Sequence, residues 1–287
     1  MEKIGVIGAG VMGVGVAHSY ALAGYNVILI DIDSETLEHA EKQIFTNARL
    51  YSMYNKELGR VSPDEILNNI TFTDDLETLG NVNYIIENIS EDWEKKKDIY
   101  HTLYNICSST CILAANTSCI SISKIASLTK HPEYVIGTHY MNPAPLKPAV
   151  EVIQGYHTSE STMNKTKELL ASINKNAIII KDFPGFVSNR ISHLFMNEAA
   201  FVVQDQVAEP KDVDAIFKEC YSHKMGPLET ADLIGIDTVV NSLDILYQSF
   251  QDPKFRCCPL LKLMVDQGRL GKKSGEGFYN YSINKVN

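Results

Sequence analysis

His139 and Glu151 stand twelve residues apart, one closing the apolar run 135–138 and the other inside "AVEVIQ". A carboxylate in an apolar strand must find a partner or give up its charge, and an imidazole is a suitable one. Paired in this way, the carboxylate stabilises the imidazolium and fixes the ring, which is what a general base requires. A third group, Ser118, follows Asn116 and Thr117 in "LAANTSCIS", again just past an apolar run. Plainer readings stand beside these. A serine after a strand serves as a helix cap, and "TSCIS" could open a helix. A single histidine at a strand end serves equally well as a hydrogen-bonded structural residue.

The other stretch with chemical potential is "KIGVIGAGVMG" at residues 3–13. Gly8, Gly10 and Gly13 fit G-x-G-x-x-G: a tight turn, a close backbone approach to a pyrophosphate, and a helix–strand packing contact. A helix that starts here, through Val11 and Met12, aims free N–H groups at the phosphates. The next strand, "NVILID", ends at Asp31, where an acid binds the adenosine ribose and repels the extra phosphate of NADP. No arginine occupies the next few positions, so NAD is the expected cofactor.

Such groups need a scaffold, and the pattern supplies one. Apolar, β-branched runs at 4–7, 27–30, 70–73, 84–89, 111–115, 135–138, 150–153 and 177–180 have the length of buried strands. Helical stretches at about 13–23 and 91–106 lie between some of them, which implies an α/β domain with a mainly parallel sheet. Residues 34–69 are polar with helical spacing, a helical excursion from that sheet. Ligands in such sheets sit beyond the carboxyl ends of the strands, where Ser118 and His139 would share the crevice. After "KDFPGF" the period changes: Leu194, Phe195, Ala199, Val202 and Val203 recur at helical spacing, as do Leu233, Ile236, Val240, Leu243 and Leu246. Pro184-Gly185 marks the switch, so a boundary is placed near 185 with an all-helical domain beyond it.

The bulk properties narrow the class. The chain has 287 residues, enough for two domains, and at 45% apolar and 21% charged it is an ordinary globular sequence. A formal net charge of −9 argues against nucleic acid as a partner. No apolar run reaches the roughly 18–20 residues of a membrane span, and Met1-Glu2-Lys3 leads straight into a strand, so no targeting peptide is expected. The six cysteines show no zinc spacing, no metal is expected, and a reduced cytoplasmic protein is the simplest reading.

Taken together, "GAGVMG", "NTSCIS", "GTHYMNPAP", "VEVI", "DFPGFVSNR", "MGPLETADLIGIDT" and "GKKSGEGFYNY" cover nearly the whole chain. In this order they resemble the L-3-hydroxyacyl-CoA dehydrogenases, and the bacterial 3-hydroxybutyryl-CoA enzymes most of all. The resemblance implies a Rossmann-type NAD-binding domain (1–185) followed by a helical substrate and dimerisation domain (186–287), in a homodimer. It also implies roles. His139 would move the hydroxyl proton, Glu151 would orient it, and Ser118 and Asn189 would hydrogen-bond the reacting oxygen or the thioester carbonyl. Glu91, Lys96, Ser118, Asn142 and Lys273 would lie around the dinucleotide.

Four departures from that family stand out. Glu87-Asn88 has an amide where a methyl is usual, Cys119 follows Ser118, and Pro148 enters the approach to Glu151. Where members carry a CoA-contacting lysine, this chain has Tyr54, with Arg49, Lys56 and Arg60 near in sequence. An acyl carrier protein has no adenosine phosphate to hold, so its thioester is kept beside CoA as a possible substrate. A non-catalytic dinucleotide-binding relative would have a damaged catalytic set, yet Ser118, His139, Glu151 and Asn189 are all present.

Overall fold

The computed structural model describes residues 3–281. Met1 and Glu2, on which the expected absence of a targeting peptide bears, and the last six residues of the expected second domain lie outside that range. The chain divides into two compact units, Met1–Phe183 and Pro184–Asn287.

The first unit is built on one eight-stranded sheet in the order β3-β2-β1-β4-β5-β6-β7-β8. Its strands are β1 (Lys3–Ile7), β2 (Asn26–Ile30), β3 (Ile70–Thr73), β4 (Tyr84–Glu87), β5 (Ile112–Ala115), β6 (Val135–His139), β7 (Ala149–Gln154) and β8 (Asn176–Lys181). All eight apolar runs form strands. The six inner strands read as nearly unbroken apolar runs because they are buried on both faces, whereas the edge strands β3 and β8 are only partly buried. Pairing is parallel from β3 through β6, and β7 and β8 are parallel to each other. The junction of β6 with β7 is antiparallel.

Helices cover the sheet. α1 (Val11–Leu22) is buried over nearly its whole circumference, so it carries small residues and almost no polar face. The excursion at 34–69 is α2 (Ser34–Tyr54), a 3₁₀ turn at Lys56–Arg60, and α3 (Pro63–Asn68). Asp33 caps α2 by accepting from the N–H groups of Glu35 and Thr36, and Ser62 with Glu65 forms a capping box on α3. α4 (Trp93–Ile106), α5 (Ile122–Ala126) and α6 (Glu160–Ser172) complete this unit. α5 does begin in "TSCIS", but its cap is Ser121, which leaves Ser118 for other work. Pro148 sits one residue before β7 and interrupts nothing; its carbonyl accepts from the N–H of Asn176.

The second unit is helical: α7 (Ser188–Gln204), α8 (Pro210–Ala215), α9 (Pro227–Ile234), α10 (Ile236–Phe250) and α11 (Pro259–Asp266). Three of these start on proline, which needs no partner for its missing N–H at that position. The helical spacing from Leu233 to Leu246 is split in the structure. Gly235 at φ +105° ends α9, so Leu233 belongs to α9 and the later residues to α10. Met196, Ala200, Ala231, Leu243 and Leu261 form the centre of this unit's core.

Candidate active site

Strand order reverses between β1 and β4, and a cleft of about 530 Å³ opens at that switch point. Gly8, Gly10, Asp31, Asn88, Ile89 and Ile99 are among the residues lining it. The three glycines of the turn differ in what they do. Gly8 has φ +89°, and a Cβ there would come within 2.8 Å of the Asn88 carbonyl oxygen. A Cβ on Gly13 would collide with the Gly8 carbonyl at 1.7 Å. A Cβ on Gly10 would meet nothing within 4 Å, so this glycine keeps a space open rather than filling a tight contact. Gly10 is also the N-cap of α1 and has no side chain to satisfy the helix's first N–H groups. Open space, free N–H groups and the positive end of a helix are together what a pyrophosphate needs.

Asp31 is held by the same turn. Its carboxylate accepts from the Ala9 N–H at 2.8 Å and from the Asp33 N–H at 3.2 Å. Each oxygen keeps a lone pair for a ribose hydroxyl. The residues present therefore fit NAD.

His139 and Glu151 are directly opposed partners in the antiparallel β6–β7 ladder, so their side chains emerge on one face. Both are buried. His139 Nδ1 lies 3.0 Å from Glu151 Oε2, and Nε2 lies 3.1 Å from Ser118 Oγ. With the carboxylate ionised, Nδ1–H donates to it, and Nε2 is left as an acceptor toward the serine hydroxyl. The arrangement has the geometry that a base oriented by a carboxylate and backed by a hydroxyl would need.

The loop that carries Ser118 is gathered by Glu91. Glu91 Oε1 accepts from the N–H groups of Ser118 at 2.9 Å and Cys119 at 2.8 Å, and from the Thr117 hydroxyl. Behind it Lys96 is fully buried, its ammonium 2.8 Å from both oxygens of Glu87 and 3.9 Å from Glu91. Burial holds the Glu87 carboxyl above the usual range even with that ammonium beside it. In this structure Lys96 therefore contacts carboxylates of its own chain. Asp182 fastens the far end of the same loop, accepting from the Ser121 hydroxyl and the N–H groups of Ile122 and Ser123. Trp93, at the start of α4, lies 3.7 Å beneath the Lys124 ammonium of α5.

The remaining expected residues are placed as follows. Val11 is exposed at the start of α1, and Asn142 is exposed in the bend after β6. In the second unit, Asn189 lies in the first turn of α7, where its carbonyl accepts from His193 Nδ1 at 2.9 Å. Lys273 is exposed and pairs with Asp237 at 2.6 Å. Residue types alone did not single out Glu87, Asn88, Asn116 or Asp182 as parts of the site. Their only signal was position, each next to a strand end or inside a quoted motif. Among the described residues, no group of three or more His, Cys, Asp or Glu side chains could hold a metal. None of their helices is long and apolar enough to cross a membrane.

A cleft at the switch point suited to a dinucleotide, with a carboxylate-paired histidine on the same sheet, fits the class of nicotinamide-dependent oxidoreductases. Comparison with known proteins makes this specific. Residues 3–183 match the profile of the 3-hydroxyacyl-CoA dehydrogenase NAD binding domain, and residues 185–281 match that family's C-terminal domain. The chain is 42% identical over 279 residues to a probable 3-hydroxybutyryl-CoA dehydrogenase of Deinococcus radiodurans, covering 97% of this chain and 100% of the relative. It is 39% identical to the 3-hydroxybutyryl-CoA dehydrogenase of Bradyrhizobium diazoefficiens, covering 98% and 96%. Among solved structures, the (S)-3-hydroxybutyryl-CoA dehydrogenase of Ralstonia eutropha superposes with a TM-score of 0.91 at 34% identity, over 98% of this chain and 99% of that one. The chain belongs to the 3-hydroxyacyl-CoA dehydrogenase family, and its cofactor is NAD.

Proposed function

We propose that this chain interconverts 3-hydroxybutyryl-CoA and acetoacetyl-CoA with NAD, using His139 and Glu151 as a general acid–base dyad. The observation that carries the mechanism is the Ser118–His139–Glu151 chain, with contacts of 3.1 and 3.0 Å. The substrate follows from the relatives' names. Bound NAD supplies the hydride chemistry at the substrate's C3. In oxidation, His139 Nε2 takes the hydroxyl proton while Nδ1–H stays on Glu151, whose charge balances the imidazolium. In reduction the same nitrogen returns the proton. Ser118 hydrogen-bonds the reacting oxygen or the thioester carbonyl as charge develops, and the family resemblance assigns the same kind of role to Asn189.

The cofactor is assigned to Gly8, Gly10, Val11, Met12, Gly13 and Asp31, with Glu91, Lys96, Ser118, Asn142 and Lys273 around it. Residues 1–185 are proposed as the NAD-binding domain and 186–287 as the substrate and dimerisation domain. The homodimer rests on the family resemblance alone, and sedimentation at micromolar concentration tests it directly.

The carrier has a second reading. The last turn of α2 holds no basic residue, Tyr54 is exposed there, and Arg60 is occupied by Glu57 at 2.6 Å. Exposed Arg49 and Lys56 are then the cations near this position for the adenosine phosphates of CoA, and the absence of a lysine at 54 keeps an acyl carrier protein thioester as the alternative. One assay decides both questions: NADH consumption with acetoacetyl-CoA, run beside the same acyl group on a carrier protein. Turnover with CoA is expected. Turnover confined to the carrier would replace the CoA reading, and no turnover with either would remove the thioester.

A further inference from the structure

The backbone ladder between β4 and β5 ends at Glu87 and Ala115, and the one between β5 and β6 ends at Ala115 and Gly137. Past those points two side-chain amides continue the stitching. Asn116 Oδ1 accepts from the N–H of Tyr140, the residue after His139, at 3.2 Å. Asn116 Nδ2 donates to Asn88 Oδ1 at 2.7 Å, and Asn88 Nδ2 donates to the Ile86 carbonyl at 2.9 Å. A backbone N–H can only donate and a carbonyl can only accept, so the two ends of this chain fix the orientation of both amides. All three bonds point the same way, which lets each polarise the next.

Asn88 also touches the cofactor turn. Its N–H donates to the Ile7 carbonyl at 2.7 Å, its own carbonyl packs against Gly8, and it lines the dinucleotide cleft. One residue thus holds the glycine turn through its backbone and the neighbour of His139 through its side chain. We infer that Asn88 is a positioning residue for proton transfer, setting His139 relative to the bound cofactor through Asn116. This rests on the assignment of His139 as the base.

The test is a double-mutant cycle of Asn88→Ala and Asn116→Ala, with kcat, KM and the calorimetric NADH Kd measured for each variant. Misplacing a base by a fraction of an ångström is costly, so each single variant should lose about tenfold in kcat with NADH Kd changed by less than about twofold. Because both residues serve one chain, the double variant should be no worse than about twofold below the weaker single. A fold-stabilising role alone would shift the melting midpoint and leave kcat of the folded enzyme unchanged. Unchanged kcat in Asn88→Ala, a loss confined to NADH affinity, or multiplicative losses in the double variant would each overturn the inference. If alanine at 88 prevents folding, Asn116→Ala decides on its own, because it breaks the same chain between Asn88 and Tyr140. Its kcat should fall about tenfold with the NADH Kd changed by less than about twofold, and unchanged kcat in that variant would overturn the inference. Absence of turnover in the wild-type chain overturns the functional proposal, and this inference with it; wild-type turnover with an unaffected Asn88→Ala overturns this inference alone.

Discussion

Replacing the imidazole by an amide of similar size removes a proton carrier and little else. His139→Gln should lose on the order of two to four decades in kcat, the usual worth of general acid–base catalysis, while NADH binding survives. Near-normal turnover would take His139 out of the mechanism. A second histidine makes a prediction about stability. His18 on α1 is buried, stacks on Tyr51, and its Nδ1 has no partner, so burial pushes its pKa down to about 4. The unfolded chain takes up this proton near the ordinary value, and the folded chain resists it until about pH 4. Stability from this site is therefore complete above the ordinary histidine range and is lost as acidity increases toward the depressed value. Between about pH 7 and about pH 5 the loss should be roughly 2 kcal/mol, and His18→Gln should flatten it in urea titrations. Parallel losses in both proteins would show that other groups govern the acid limb.

At the scale of an element, the turn into α1 separates two uses of glycine. Gly13→Ala drives a methyl into the Gly8 carbonyl and should lower the melting midpoint or prevent folding. Gly10→Ala meets no atom of the chain, so its midpoint should match wild type while NADH affinity falls by about tenfold or more. Wild-type affinity in Gly10→Ala would mean that the pyrophosphate does not sit on this helix end. The inner strands were legible because burial on both faces forces apolar runs, the partly buried edge strands β3 and β8 through their β-branched residues, and α1 was legible to within two residues of its ends. The strand expected at 84–89 stops at Glu87, since the Ile89 N–H turns to the Glu87 side chain at 2.7 Å. Other features left no trace in residue type. Reversal of direction at β7 is invisible in composition, yet it is what sets Glu151 opposite His139. The buried carboxylate's need for a partner pointed to that pair; the ladder explains the contact. The amide bridge was equally hidden, because Asn88 and Asn116 are 28 residues apart and either could have faced water.

For the molecule as a whole, a net charge of −9 meets a cofactor and a substrate that are both anions. Long-range repulsion should slow their capture, and salt should screen it. Raising ionic strength from very low to physiological values should therefore increase kcat/KM for acetoacetyl-CoA by about twofold. A fall with added salt would reveal a local basic patch that outweighs the total charge. In the helical unit two buried carboxylates fasten the terminal segment. Asp214 accepts from the Tyr279 hydroxyl, and Asp232 accepts from the N–H groups of Phe278 and Tyr279. The same segment carries Lys273. Trp93 has a use of its own, because it is the only tryptophan in the chain and opens the helix that supplies Lys95, Asp98, Ile99 and Thr102 to the dinucleotide cleft. Indole emission overlaps the absorption band of reduced nicotinamide. The protein thus carries one indole, selectively excited at wavelengths its tyrosines do not absorb, as an optical gauge of the cleft. Adding NADH should dim it in a saturable titration whose midpoint is the dissociation constant, and NAD, which lacks that band, should dim it far less.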